Sequence, residues 1–197
     1  MKVITLFLLL SLITFRSKAQ AVSEISESEY SQACNNKAEF RPDSKLFKIE
    51  NKVYVRTKNW VKVFKDTLVE EEDAKMKMYE VVGLNDELNK VVIKEVGLVT
   101  SNYLLIDLRT KKVDVLTSMP LVSKNLKYLV CISEPESDSY LGLEIFEIRK
   151  DKLRSIYKES DPKYMYKADT GKWCGSDFFI QRKHISNKAS AFIKIHL

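Results

Sequence analysis

From residue 46 to the C-terminus the chain runs in short apolar–polar alternations of period two, separated by polar pairs. Such runs lie at 46–49, 52–56, 60–64, 76–82, 90–96 and 103–108, and again at 113–116, 127–132, 143–148, 153–157, 177–182 and 191–196. Successive side chains of a strand point to opposite faces, so this period buries one face and wets the other. Val, Ile, Tyr, Phe and Leu, which suit a pleated surface, dominate the runs. The pattern predicts an all-β domain of antiparallel hairpins over 46–197. Two segments break it. The acidic run Val69-Glu70-Glu71-Glu72-Asp73-Ala74-Lys75 reads as a solvated connection. Residues 20–45, rich in Ser and Glu with Val22 and Ile25 as their large aliphatic residues, read as an N-terminal arm. That arm is expected to be a tether or a weak helix over 26–33, closed off by Pro42.

The strands carry an internal repeat. Residues 105–116 align without gaps on 145–156, an offset of 40, with Arg109/Arg149 and Lys112/Lys152 identical. A rougher third copy lies at 46–55, with a shorter turn. Each copy is an apolar strand, a polar turn and an apolar strand, and a strand-built period near 40 is the spacing of propeller blades. The stretch Tyr103-Leu104-Leu105-Ile106-Asp107-Leu108-Arg109-Thr110-Lys111-Lys112 resembles the hairpin of PD40/WD40-like β-propeller repeats, whose usual turn is Asp-Leu-x-Thr-Gly-Lys. Val122-Ser123-Lys124-Asn125-Leu126-Lys127-Tyr128-Leu129-Val130 is similar to their Ser-Pro-Asp-Gly-Lys-x-Leu-x element. Lys111 stands in place of the turn glycine, and Lys124-Asn125-Leu126 in place of Pro-Asp-Gly. The resemblance spans residues 100–160 and implies architecture, not a reaction. A full propeller needs four or more blades, and roughly 150 β-rich residues at about 40 per blade fall short of that. The expected fold is a partial propeller-like array of antiparallel hairpins, with a β-sandwich or barrel as the alternative.

The N-terminus sets the compartment. Lys2 precedes an apolar run at 3–15, and Ser17-Lys18-Ala19 offers small residues at the −3 and −1 positions of a peptidase site. Residues 1–19 are expected to be a cleaved signal peptide; the alternative is a retained anchor, favoured by Arg16 and Lys18. The run is short of the about 20 residues that span a bilayer. No later apolar stretch approaches that length, so no transmembrane segment is expected after cleavage. A periplasmic or secreted location follows. Removing Lys2, Arg16 and Lys18 leaves 30 of the 33 basic residues against 27 acids and lowers the net charge from +6 to +3. That is small for a nucleic-acid binder, whose basic residues would concentrate on one face, and no nucleic-acid partner is expected.

Export permits disulfides. Cys131 alternates with Leu129 on one face of a strand and reads as a buried free thiol. Cys34 and Cys174 lie in polar, turn-rich surroundings and are the expected bridge, although three pairings are possible and the sequence does not choose.

No metal site, cofactor or catalytic residue is expected. The two histidines, His184 and His196, have no ligand-spaced partners, and neither a His-Glu-x-x-His nor a Gly-x-Ser-x-Gly motif occurs. The acids of Ser133-Glu134-Pro135-Glu136-Ser137-Asp138-Ser139 lack the order of a calcium loop and read as a solvated hairpin. The irregular stretch 161–175 combines aromatic and basic residues, and Tyr164, Tyr166, Lys167 and Trp173 are its candidate binding residues, the other reading being that its aromatics cap the sheet. These features favour an exported, non-enzymatic binding module with a protein partner in the cell envelope. The alternatives are a small envelope hydrolase with a carboxylate site, or an inhibitor or immunity protein.

Overall fold

A computed structural model of the chain describes residues 21–67, 76–98, 100–133, 142–150, 152–187 and 189–197. The expected signal segment, the acidic connection at 69–75 and the acid-bearing loop at 134–139 lie outside the described residues.

The arm comes first: strand β1 (Val22–Ile25), helix α1 (Glu27–Gln32) and strand β2 (Lys37–Ala38). Four antiparallel sheets then follow in chain order. The first is β3 (Leu46–Ile49), β4 (Lys52–Arg56) and β5 (Val61–Lys65). The second is β6 (Lys77–Asn85), β7 (Lys90–Gly97), β8 (Ser101–Asp107) and β9 (Val113–Leu116). The third is β10 (Leu121–Ser123), β11 (Tyr128–Ser133), β12 (Gly142–Arg149) and β13 (Lys152–Glu159), with β2 added beside β10. The fourth holds β14 (Tyr164–Tyr166), β15 (Lys172–Cys174), β16 (Asp177–His184) and β17 (Ser190–Ile195), with β1 added beside β17. The protein is all-β and antiparallel, and none of its sheets closes into a barrel among the described residues.

Three hydrophobic cores join these sheets in succession. Val53, Val55, Val91, Ile93, Leu104 and Ile106 pack the first sheet on the second. Val92, Leu105, Val122, Leu129 and Cys131 pack the second on the third. Val130, Ile145, Trp173, Ile180 and Ile193 pack the third on the fourth. The inner sheets are covered on both faces, which is why their central strands read as unbroken apolar runs such as Val91-Val92-Ile93. Along β11 the alternation is plain: Leu129 and Cys131 enter the second core, while Val130 and Ile132 enter the third. Cys131 is a free, buried thiol, and burial pushes its pKa up to about 12, so it is inert.

The two aligned segments take equivalent places, at the third and fourth strands of consecutive sheets, β8–β9 and β12–β13. The first of these turns is built on Asp107. Its Oδ1 accepts from the N–H of Arg109 and of Thr110, both at 2.9 Å, and its Oδ2 accepts from the Lys90 ammonium at 2.7 Å. Lys111 and Leu126 both adopt left-handed backbone, with φ of 64° and 58°, a conformation that favours glycine.

The arm is not a loose tether. Strand β1 pairs along its whole length with β17, from Val22 opposite Ile195 to Ile25 opposite Phe192. The Ser26 side chain caps α1 by accepting from the Glu29 N–H at 3.1 Å, and Glu27 and Glu29 in its first turn suit the positive end of the helix dipole. Tyr30 then stacks on Phe192 at 4.4 Å, which lays the helix over the outer face of the fourth sheet. Backbone hydrogen bonds make most of these attachments, and those do not depend on a recognisable side-chain pattern.

Candidate functional site

Cys34 and Cys174 form a disulfide, tying the end of α1 to β15. Just beyond it the arm crosses one strand or turn from each of three sheets in succession. The Asn36 N–H donates to the Trp173 carbonyl at 2.7 Å, and the Lys124 N–H donates to the Asn36 carbonyl at 3.1 Å. Ala38 pairs with Val122 across β2 and β10. Arg41 and Leu84 then exchange two backbone hydrogen bonds, at 2.9 and 2.8 Å.

This last contact depends on Gly83. A Cβ there would lie 2.8 Å from the Arg41 nitrogen and 2.8 Å from the Phe40 carbonyl carbon, both backbone atoms that cannot swing aside. Gly83→Ala is expected to lower stability by about 2–3 kcal/mol through this overpacking. The check is a urea melt combined with hydrogen exchange at the Arg41 and Leu84 amides. Unchanged protection there would mean that the arm does not depend on this approach.

Where the arm passes between the β6–β7 and β10–β11 turns it walls an open groove of about 500 Å³. Asn35, Asn36, Lys37, Glu39 and Arg41 line it from the arm, Leu84 and Asn85 from the end of β6, Asp86 and Glu87 from the β6–β7 turn, and Lys124 from the β10–β11 turn. That volume lies within the range of small-molecule and peptide sites. The wall is held without help from a ligand. The buried Asn85 side chain donates to the Glu39 carbonyl at 2.9 Å and accepts from the Leu88 N–H at 2.9 Å. Three cations face three acids, and two of those acids already have partners: Glu39 pairs with Arg41 at 3.1 Å and Asp86 with Lys45 at 3.3 Å. Glu87 adds a third carboxylate to the groove, so both signs of charge and several amides line it.

No family model, curated protein or solved structure matches this chain.

The four residues singled out in the stretch 161–175 go to different places. Trp173 and Tyr166 are buried, each with 1% of its surface exposed, so neither offers a contact surface. Trp173 belongs to the core between the third and fourth sheets, and its indole N–H donates to the Leu121 carbonyl at 3.0 Å. Its backbone carbonyl and the adjoining Cys174 anchor the groove's wall from behind. Tyr166 lies near the polar end of that core, where the Tyr157 hydroxyl donates to Glu159 at 2.7 Å and Arg182 pairs with Glu24 at 3.1 Å. Among the described residues its own hydroxyl has no hydrogen-bond partner, and burial, with the Glu159 carboxylate nearby, raises its pKa. Tyr164 is half-buried under the Arg182 guanidinium, which sits 4.2 Å from the ring centre. Lys167 is half-buried just after β14, where its ammonium lowers the pKa of Lys183. Strands of three residues are too short to show a period, so the burial of Tyr166 and Trp173 has no sequence signature.

The groove residues escaped sequence reasoning for a different reason. They come from three chain segments that only the fold brings together. The one local hint is the Asn35-Asn36 pair directly after Cys34.

Among the described residues no group of three or more His, Cys, Asp or Glu side chains converges as a metal site, and no helix is long and apolar enough to cross a membrane. His184 accepts or donates with Ser186 at 2.7 Å, and His196 lies 3.3 Å from Asp177.

Proposed function

We propose that this chain is an exported binding module that holds an extended, polar segment of a protein partner in the groove between its N-terminal arm and the β6–β7 and β10–β11 turns. The observation that carries the reading is the groove itself. It is concave, has a wall fixed by backbone hydrogen bonds, and mixes amides with both signs of charge, as a polypeptide ligand does. The Cys34–Cys174 bridge supports export, because such bonds persist in oxidising compartments. An inhibitor or immunity protein would be one form of this module, since a rigid, pre-organised wall loses little entropy on binding.

The test is affinity capture from envelope extract with the wild-type chain and with K37E/K124E, both tagged after Leu197. A protein recovered in equimolar amount by the wild type and reduced about tenfold or more by the charge reversals is the expected result. Equal recovery by both chains would show that the groove is not the site. An empty capture at low and moderate salt would overturn the reading.

A further inference from the structure

The array of sheets has two ends, and they are finished differently. At one end α1 covers the fourth sheet through the Tyr30–Phe192 stack. At the other, none of the three hydrophobic clusters includes a residue from the outward face of the first sheet. Register places the residues of that face in three rows across the strands. Phe47, Tyr54 and Val63 form the middle row. Arg56 and Val61 lie on one side of it, and Ile49, Lys52 and Lys65 on the other. Ile49, Val61 and Val63 are 55%, 52% and 47% exposed, an apolar surface unusual for a face that touches only water.

The charge of this sheet is just as uneven. Residues 45–65 hold seven basic residues and one acid, Glu50, so the positive charge of the chain gathers here. Glu50 sits in the β3–β4 turn, leaving the face itself with cations only. The face therefore has an apolar centre between cationic flanks.

We infer that the outward face of the first sheet is a docking surface for a protein partner that presents carboxylates around an apolar centre. This surface is separate from the groove. Charge complementarity selects the occupant, since a second copy of the chain would set cations against cations. The shape argues for a protein face rather than a bilayer. Phe47 and Tyr54 are half-buried and stack at 5.2 Å with planes 11° apart, and the Arg56 guanidinium lies 5.6 Å from the Phe47 ring centre. Rings fixed by stacking and half-buried in the sheet are not free to insert, whereas interfacial membrane binding relies on apolar side chains that enter the acyl boundary.

The test titrates the disulfide-bonded chain into a fluorescein-labelled random copolymer of glutamate and tyrosine and follows anisotropy. The wild type is expected to bind in a salt-sensitive way. K52E/K65E is expected to bind at least about tenfold more weakly, and V63D to weaken binding as well. K152E/K158E, the same charge change on exposed positions of β13, is expected to match the wild type, and circular dichroism confirms that each variant folds. The inference is overturned if K52E/K65E binds like the wild type or if K152E/K158E loses as much. It is also overturned if the chain ignores the copolymer but sediments with vesicles of phosphatidylglycerol and phosphatidylcholine in equal parts, or binds only an oligothymidylate. Binding that appears only after Glu70, Glu71, Glu72 and Asp73 are changed to serine would assign the face to the chain's own acids and overturn it too. K37E/K124E is expected to keep copolymer binding, which separates this outcome from that of the groove.

Discussion

Replacing both bridge cysteines, as C34S/C174S, is expected to cost about 4–5 kcal/mol of stability, the chain-entropy value for a loop of this size. The bridge joins residues 140 apart, so it constrains most of the unfolded chain. For a protein of about this length that corresponds to a fall of about 10–15 °C in melting temperature. The loss should be felt first in the arm. Asn36 would keep its backbone hydrogen bonds to Trp173 and Lys124 but lose the covalent tie beside them, so this stretch of the groove's wall would open more readily. Intact mass after alkylation in denaturant checks the chemistry: one modified cysteine without reduction and three with it. Three modified cysteines in the unreduced protein would show that the bridge does not form.

The second large effect is expected at Asp107. Asp107 and Lys90 pair at 2.7 Å with only 2% and 6% of their side chains exposed. Asp107→Asn would leave the Lys90 ammonium buried beside a neutral amide, and breaking a buried pair from one side costs about 3–5 kcal/mol. Lys90→Met is expected to cost less, because the Arg109 and Thr110 N–H groups still support the carboxylate. Equal losses in the two variants would mean that the turn hydrogen bonds contribute little.

Burial alone would raise the Asp107 pKa. The Lys90 ammonium, with the N–H groups of Thr110 and Arg109, reverses this and holds it at about 2, below the ordinary 3.8. A depressed carboxyl pKa stabilises the fold above the unfolded value and loses that contribution as pH falls through the folded one. The stabilisation is therefore complete above about pH 4 and fades toward about pH 2, by about 2 kcal/mol. The stability gap between wild type and Asp107→Asn, read from urea melts, should narrow by about 2 kcal/mol between about pH 5 and about pH 2 as this contribution disappears. A constant gap across that range would place the effect elsewhere.

How much of this was readable from the chain depends on where each element lies. The inner strands were legible because long apolar runs leave little choice: Leu129 and Cys131 turn one way and Val130 and Ile132 the other, as alternation requires. The Cys34–Cys174 bond is the expected one, suggested by two cysteines in polar surroundings and one in an apolar strand, though the sequence alone left three pairings open. The short helix expected within 26–33 is present, but the docking of the arm was not legible, because β1 and β2 attach mainly through backbone groups, which every sequence possesses. Tyr166 and Trp173 looked available because irregular segments show no period, yet the fold turns both inward. The cationic face was present in the sequence as Lys52, Arg56 and Lys65, but acids elsewhere masked it in the whole-chain charge. Only pairing of β3, β4 and β5 collects those three side chains on one surface.

The pairing of β1 with β17 also sets the order in which the molecule can be completed. A strand near the start of the chain has no partner until almost the last residues have emerged, and Cys34 likewise waits for Cys174. Cys131 lies instead in the core between the second and third sheets. There the folded array seals its thiol away from both other cysteines. The middle of the array thus protects the choice of bridge, and the Cys34–Cys174 bond fastens the arm to the last sheet.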